Sequence, residues 1–140
     1  VAPSRGLGDV YKRQIRDRVR ELLIQLSESL TIHVLTADTH GTAAAECQSI
    51  PLLLDTFPTS DAASYKLQKL QETGASCCAC IGNGRNDLFM LKEAALSIAV
   101  IDREGMYPPL LPYCDLCVHS SEEALELFLH PKRIIAGLRG

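Results

Sequence analysis

Ile81-Gly82-Asn83-Gly84-Arg85-Asn86-Asp87 carries the densest signal in this chain. It follows residues 76–81, a small, sulfur-rich run that reads as a buried strand, and precedes residues 88–95, which read as a helix. Gly82 and Gly84 let the backbone turn sharply and approach a ligand closely. Asn83, Asn86 and Asp87 place three oxygen-bearing side chains within five residues. Hard cations such as magnesium favour oxygen ligands and keep several waters, so one or two protein groups suffice. Taken alone, the same residues also fit a polar strand-to-helix turn capped by Asn or Asp. Two other glycine-rich motifs do not fit. A dinucleotide fingerprint needs a third glycine where Asp87 stands. A Walker A loop needs Gly-Lys-Ser/Thr, which the chain lacks.

Working outward, strands and helices alternate. Ile15, Val19, Leu22, Leu23 and Leu26 recur at spacings of three and four and predict one buried face of a helix. Thr31-Ile32-His33-Val34-Leu35-Thr36 is β-branched and apolar, a short buried strand. Residues 38–42 read as a turn and 43–47 as a short helix. Residues 50–54 read as a second strand. Ser60 or Asp61 can cap a helix through Ala63, Leu67 and Leu70 that Gly74 ends. Downstream of the loop and its helix, residues 97–101 predict a strand, 102–112 a long loop and 115–119 another strand. Ser121, Glu122 and Glu123 open a last helix through His130, and Pro131 permits a final turn to Leu138. Five strands alternate with helices without a hairpin signal. The expectation is α/β: a Rossmann-like, three-layer sandwich with a mainly parallel sheet. Ligands of such sheets sit beyond the carboxyl ends of the strands. Thr36-Ala37-Asp38, the 82–87 loop and the Glu104-Gly105 region all fall there.

The chain has 140 residues, is 46% hydrophobic and carries a net charge of −3. That allows one domain with a real core and gives no general attraction to nucleic acid or an anionic membrane. Lys12, Arg13, Arg16, Arg18 and Arg20 interleave with Asp17 and Glu21, as on a solvated helix face. No apolar run approaches the roughly 20 residues of a membrane span. No apolar signal-peptide core is visible, so a cytoplasmic setting is the expectation. Residues 1–14 have no period and resemble translated adapter sequence. They are read as a non-native or disordered tail, and residues 15–140 as the domain.

Two further positions bear on chemistry. Thr36 ends a strand, where its hydroxyl can donate to a phosphoryl oxygen, although a strand-end Thr is ordinary by itself. Lys66 lies on the helix before the strand that leads into the loop, where an ammonium can neutralise phosphate and carboxylate charge. Lys69, one turn on, competes for that role.

Thr after a strand, Lys on a helix, then Gly-Asn-Gly-x-Asn-Asp after a strand resembles, in order, the second, third and fourth motifs of the haloacid-dehalogenase (HAD) superfamily. The closer resemblance is to small soluble HAD proteins similar to the phosphorylation domain of P-type ATPases. It is carried by residues 32–42, 81–100 and 133–139. The resemblance implies a magnesium-dependent phosphohydrolase that works through an aspartyl-phosphate on a small phosphorylated molecule. Asp87 and Asn83 would hold Mg2+, Thr36 would bind the transferring phosphoryl group, and Lys66 would stabilise the aspartyl-phosphate. Lys66 is preferred to Lys69 for its spacing to Gly74. Asn86 would orient the loop or the nucleophile, and Gly82 and Gly84 would form the phosphate loop. Nothing large enough for a cap domain separates Thr36 from Lys66. Capless members often close the site with a neighbouring subunit, so a homo-oligomer is one option.

The chain departs from the family at its first motif, the aspartate nucleophile after an apolar strand, which should precede the helix at Ile15. Asp9, between Gly-Leu-Gly and Val-Tyr-Lys-Arg, is no substitute. The expectation is a fragment without its first strand and nucleophile, and with little activity of its own. The alternatives are a non-catalytic HAD-like binding or regulatory module and a piece of a P-type ATPase.

The six cysteines, Cys47, Cys77, Cys78, Cys80, Cys114 and Cys117, read as reduced structural thiols. Cys114-x-x-Cys117 has no second pair with which to complete a zinc site. His33, inside an apolar strand, reads as a packing residue.

Overall fold

The computed structural model describes residues 17–37 and 41–139. The tail over 1–14, the helix start at Ile15 and the turn at Asp38–His40 lie outside the described residues.

The elements in chain order are α1 (Asp17–Ser27), β1 (His33–Thr36), α2 (Thr42–Glu46), β2 (Leu53–Thr56), α3 (Ala62–Thr73), β3 (Ala79–Gly82), α4 (Leu88–Glu93), β4 (Leu96–Val100), β5 (Leu116–Val118), α5 (Ser121–Leu127) and α6 (Pro131–Leu138). Every strand pair is parallel. β1 pairs with β2, with His33 opposite Leu53. β3 pairs with β4 and β4 with β5.

Strand alternation sorts the core into two faces. Val34 and Ile81 pack in one apolar cluster with Ile98 and Val100, under Val19, Leu22, Leu23 and Leu26 of α1 and Ala124 and Leu125 of α5. Leu35 and Cys80 point the other way, into a cluster with Ala62 and Leu70 of α3, Met90 and Leu91 of α4, and Leu110. Helices therefore cover both faces of the strands. Each fully buried Leu or Ile contributes roughly 1.5–3 kcal/mol relative to exposure. The expected three-layer, parallel α/β architecture is the one observed.

The parallel strands form two ladders, β1-β2 and β3-β4-β5. Among the described residues no backbone hydrogen bond joins β1 to β3. Their N-terminal ends, at Ile32-His33 and Cys78-Ala79, flank one crevice of about 430 Å³. Thr36 and Gly82 consequently end their strands on the opposite side, where parallel sheets place ligands.

Several boundaries differ from the sequence reading. β2 begins at Leu53 rather than at residue 50, because its register is set by pairing with β1. Residues 75–77 form a helical turn, and the strand after it starts at Ala79. The long loop 102–112 contains a bridge from Asp102 to Gly105 and a helical turn over Pro108–Tyr113. Neither Ser60 nor Asp61 caps α3 with its side chain; a helical turn over Thr59–Asp61 leads into it. Ser120 caps α5, accepting from the Glu123 amide at 3.1 Å. Pro131 starts a separate eight-residue helix rather than a last turn, since its fixed φ and missing N–H suit a helix start.

Candidate active site

Gly82 ends β3, and the chain turns through a short helical segment, Arg85–Asp87, into α4. Asp87 folds back on the turn that carries it. Its Oδ2 accepts from the amides of Asn83 at 3.1 Å and Gly84 at 3.0 Å. Its Oδ1 accepts from Lys66 Nζ at 2.7 Å. Lys66 also donates to Asn86 Oδ1 at 2.8 Å. Both Lys66 and Asp87 are 0% exposed.

Neither glycine of the turn needs a left-handed backbone, and Gly82 acts by space. Gly84 is extended, with φ −109°. A Cβ on Gly82 would lie 2.6 Å from Asp87 Cγ and Oδ2. Only a residue without a side chain leaves room there for the carboxylate. The Asn83 and Gly84 amides are aimed at Asp87, so this part of the loop fixes a carboxylate.

A buried ion pair is seldom a net gain in stability, since removing both charges from water costs several kcal/mol per ion. Three donors converge on Asp87, and an ammonium is held between Asp87 and Asn86. That is a preorganised cluster of charge at the ligand-bearing end of a sheet, the arrangement expected where charge must be stabilised during a reaction.

The remaining sequence candidates fall as follows. Thr36 is buried at the end of β1, and its carbonyl accepts from the Phe57 amide at 3.2 Å. Asn83 is buried; its Nδ2 donates to Gly105 O at 3.4 Å, and its Oδ1 is enclosed without a hydrogen-bond partner. Lys69 points away from the cluster to Asp55, at 3.4 Å, in a partly exposed pair. The structure thus joins Lys66, Asn86 and Asp87 directly and keeps Lys69 out. The Glu104-Gly105 region, expected at the same sheet edge as the loop, touches it directly through Asn83. Its position after a strand was the available signal.

Among the described residues no group of three His, Cys, Asp or Glu side chains could hold a metal. Oxygen donors of mixed type fit a hard cation better here. Asn83 Oδ1 is an orphaned buried acceptor beside a carboxylate, which fits a magnesium ion that keeps water in its remaining positions.

All six cysteines are free. Burial pushes the Cys80 thiol up to about 12 and the Cys114 thiol up to about 11, which keeps them protonated and unreactive at neutral pH. Burial lowers the pKa of His33, whose Nδ1 is enclosed without a partner.

The architecture matches solved phosphatase structures. It superposes on 3-deoxy-D-manno-octulosonate 8-phosphate phosphatase from Moraxella catarrhalis, in complex with magnesium, phosphate and KDO, with a TM-score of 0.70 over 90% of this chain and 78% of that one, at 16% identity. The cobalt-bound deoxy-D-mannose-octulosonate 8-phosphate phosphatase from Haemophilus influenzae gives 0.67 over 89% and 73%, at 15% identity. A Legionella pneumophila protein described as a HAD-superfamily (subfamily III A) hydrolase gives 0.66 over 86% and 71%, at 15% identity. This is the HAD fold. Sequence comparison adds an uncharacterized protein of Methanocaldococcus jannaschii, 41% identical over 59 residues. The matched stretch spans 42% of this chain and 63% of that relative. No family model matches the chain. Within the HAD fold, the Lys66–Asp87 cluster lies beyond the carboxyl end of β3, and the strands carry no helix among the described residues long and apolar enough to cross a membrane.

Proposed function

We propose that this chain is part of a magnesium-dependent phosphohydrolase of the HAD type that acts on a small phosphorylated molecule through an aspartyl-phosphate. The observation that carries the reading is the buried Lys66–Asp87 pair, 2.7 Å apart and tied to Asn86, Asn83 and Gly84. The magnesium, phosphate and sugar acid held by the Moraxella structure support the same substrate class.

Asp87 and Asn83 would hold Mg2+, which when bound supplies positive charge to the oxygens of the transferring phosphoryl group. Lys66 places an ammonium beside the same centre, where low local dielectric strengthens its pull on developing negative charge. The Thr36 hydroxyl, at the end of β1, can donate to a phosphoryl oxygen. Asn86 holds the Lys66 ammonium in place.

Asp87 is the one buried carboxylate among the described residues, and both its oxygens are engaged. It suits a metal anchor rather than a nucleophile. A nucleophilic aspartate splits one difficult displacement into two easier ones, and neither lysine nor magnesium replaces it. The separate β1-β2 and β3-β4-β5 ladders, flanking a common crevice, support a further strand between them that would bring this carboxylate. These 140 residues by themselves would then have little phosphatase activity. The finer kinship to the phosphorylation domain of P-type ATPases rests on the same motifs.

The test is phosphate release from a generic aryl phosphate with magnesium, by this chain and by the chain extended with its upstream coding sequence. Activity is expected in the extended form and not in its Asp87→Ala variant. Equal rates for the two would sink the reading.

A further inference from the structure

The turn between β3 and α4 engages every polar side chain it carries except one. Asp87 accepts from two amides and from Lys66. Asn86 accepts from Lys66, and Asn83 donates to Gly105 O. Arg85, between Gly84 and Asn86, is exposed, and its guanidinium meets no partner among the described residues. The other cations of α3 and α4 are committed. Lys66 is buried against Asp87, Lys69 pairs with Asp55 at 3.4 Å, and Lys92 lies 4.9 Å over the Tyr113 ring.

The root of Arg85 is fixed although its side chain is free. The Gly84 amide donates to Asp87 Oδ2 at 3.0 Å, and Gly84 O accepts from the Asp87 amide at 3.0 Å. Arg85 O accepts from the Leu88 amide. The side chain therefore leaves a rigid turn two residues before Asp87, on the solvent side of the buried cluster. It does not wall the crevice that opens beyond Gly84 on the Gly105 side. A phosphate seated at the Lys66–Asp87 cluster has packed core behind it, so the rest of its molecule must point outward, past this rim. A guanidinium is a planar fork of N–H donors that matches a carboxylate or a phosphate with two parallel hydrogen bonds.

We propose that Arg85 binds a second anionic group on the leaving part of the substrate, and so selects phosphomonoesters with a further negative charge over neutral ones. Two cations then divide the work: Lys66 serves the buried phosphoryl end, and Arg85 serves the solvent end. This assignment rests on the phosphoryl-site reading above.

The experiment is a titration of the isotope-labelled chain with magnesium present, followed by NMR of the backbone amides and of the Arg85 Nε–H. Inorganic phosphate, glycerol 1-phosphate and 3-phosphoglycerate are the probes; the last two differ by a carboxylate in place of a hydroxymethyl group. All three are expected to shift the Gly82, Asn83 and Gly84 amides. 3-Phosphoglycerate should also shift the Arg85 Nε–H and bind about fivefold more tightly than glycerol 1-phosphate, the upper end for an exposed ion pair. Arg85→Met should bring the two affinities together, Arg85→Lys should keep part of the difference, and the preference should shrink as salt rises. Equal affinities in the parent chain would overturn the assignment while the phosphate response at Gly82–Gly84 stood. So would an Arg85→Met variant that kept the preference, or that lost glycerol 1-phosphate as steeply as 3-phosphoglycerate. Absence of the phosphate response would overturn the phosphoryl-site reading and this assignment with it.

Discussion

Lys66 Nζ lies 2.7 Å from Asp87 Oδ1, and both side chains are completely shielded from water. Lys66 lies inside α3, and Asp87 ends the turn that leads into α4. Lys66→Met should leave Asp87 as a buried charge without its ammonium, at a cost of about 3–5 kcal/mol. Joint replacement, Lys66→Met with Asp87→Leu, should recover part of that loss. Urea denaturation of the two variants decides it. A loss under about 1 kcal/mol for the single change would contradict the burial argument.

Lys69→Met is the matched comparison. Its pair with Asp55 is 3.4 Å long and partly exposed, with side chains 30% and 39% accessible. Solvent screening leaves such pairs worth about 0–1 kcal/mol. The same denaturation series should therefore place Lys69→Met near the parent protein. Equal losses at both lysines would mean that burial is not what separates them.

Gly82→Ala tests the close approach of the Asp87 carboxylate. The new Cβ would sit 2.6 Å from Asp87 Cγ, a short side chain held at both oxygens and unable to swing aside. Overpacking of this kind costs about 1–3 kcal/mol. Magnesium binding, followed by calorimetry, should weaken along with stability. Unchanged binding would place the metal elsewhere than at Asp87.

His33 should impose a pH dependence on stability. Burial lowers its pKa from the ordinary 6.5; Lys69 adds to this and Asp55 opposes it. The unfolded chain then binds a proton near pH 6.5 that the folded chain refuses until lower pH. The stability associated with neutral His33 is fully present above that value and is lost as pH falls from 6.5 through the folded pKa. Urea midpoints at pH 7.5 and 5.5 should differ more for the parent than for His33→Gln. An identical difference in both would remove His33 as the cause.

Thiol labelling should follow exposure. Cys77 and Cys117 are exposed, whereas Cys47, Cys78 and Cys80 are buried. At pH 8 the two exposed thiols should therefore be alkylated before the three buried ones, with Cys117 slowed because burial raises its thiol above its usual range. Cys80, pushed up to about 12, should react only on unfolding. Peptide mass spectrometry after timed alkylation reads the order. Early modification of Cys80 would require an opening of the sheet that the packed core does not provide.

Much of this was legible in the chain. Val19, Leu22, Leu23 and Leu26 repeat at helical spacing and are the buried face of α1. Residues 31–36 read as a buried strand, and β1 is buried at all four of its positions. The glycines and amides of Ile81–Asp87 marked a loop between strand and helix, where it stands. The start of β2 was not legible, because residues 50–54 are as apolar as a strand needs and only pairing with His33 sets where the ladder begins. The Asp102–Pro108 loop carries no periodic signal, so its contact with Asn83 could not be read from order alone.

The alternation of strands and helices and the character of the 81–87 loop are written in local order, because periodicity and turn chemistry act between residues only a few positions apart. Only the packed chain puts Lys66 rather than Lys69 against Asp87, sets Asp87 against Gly82 and joins Asn83 to Gly105. Lys66 and Lys69 are one turn apart on the same helix and chemically alike. Only packing against a turn 20 residues further along buries one ammonium and leaves the other in water.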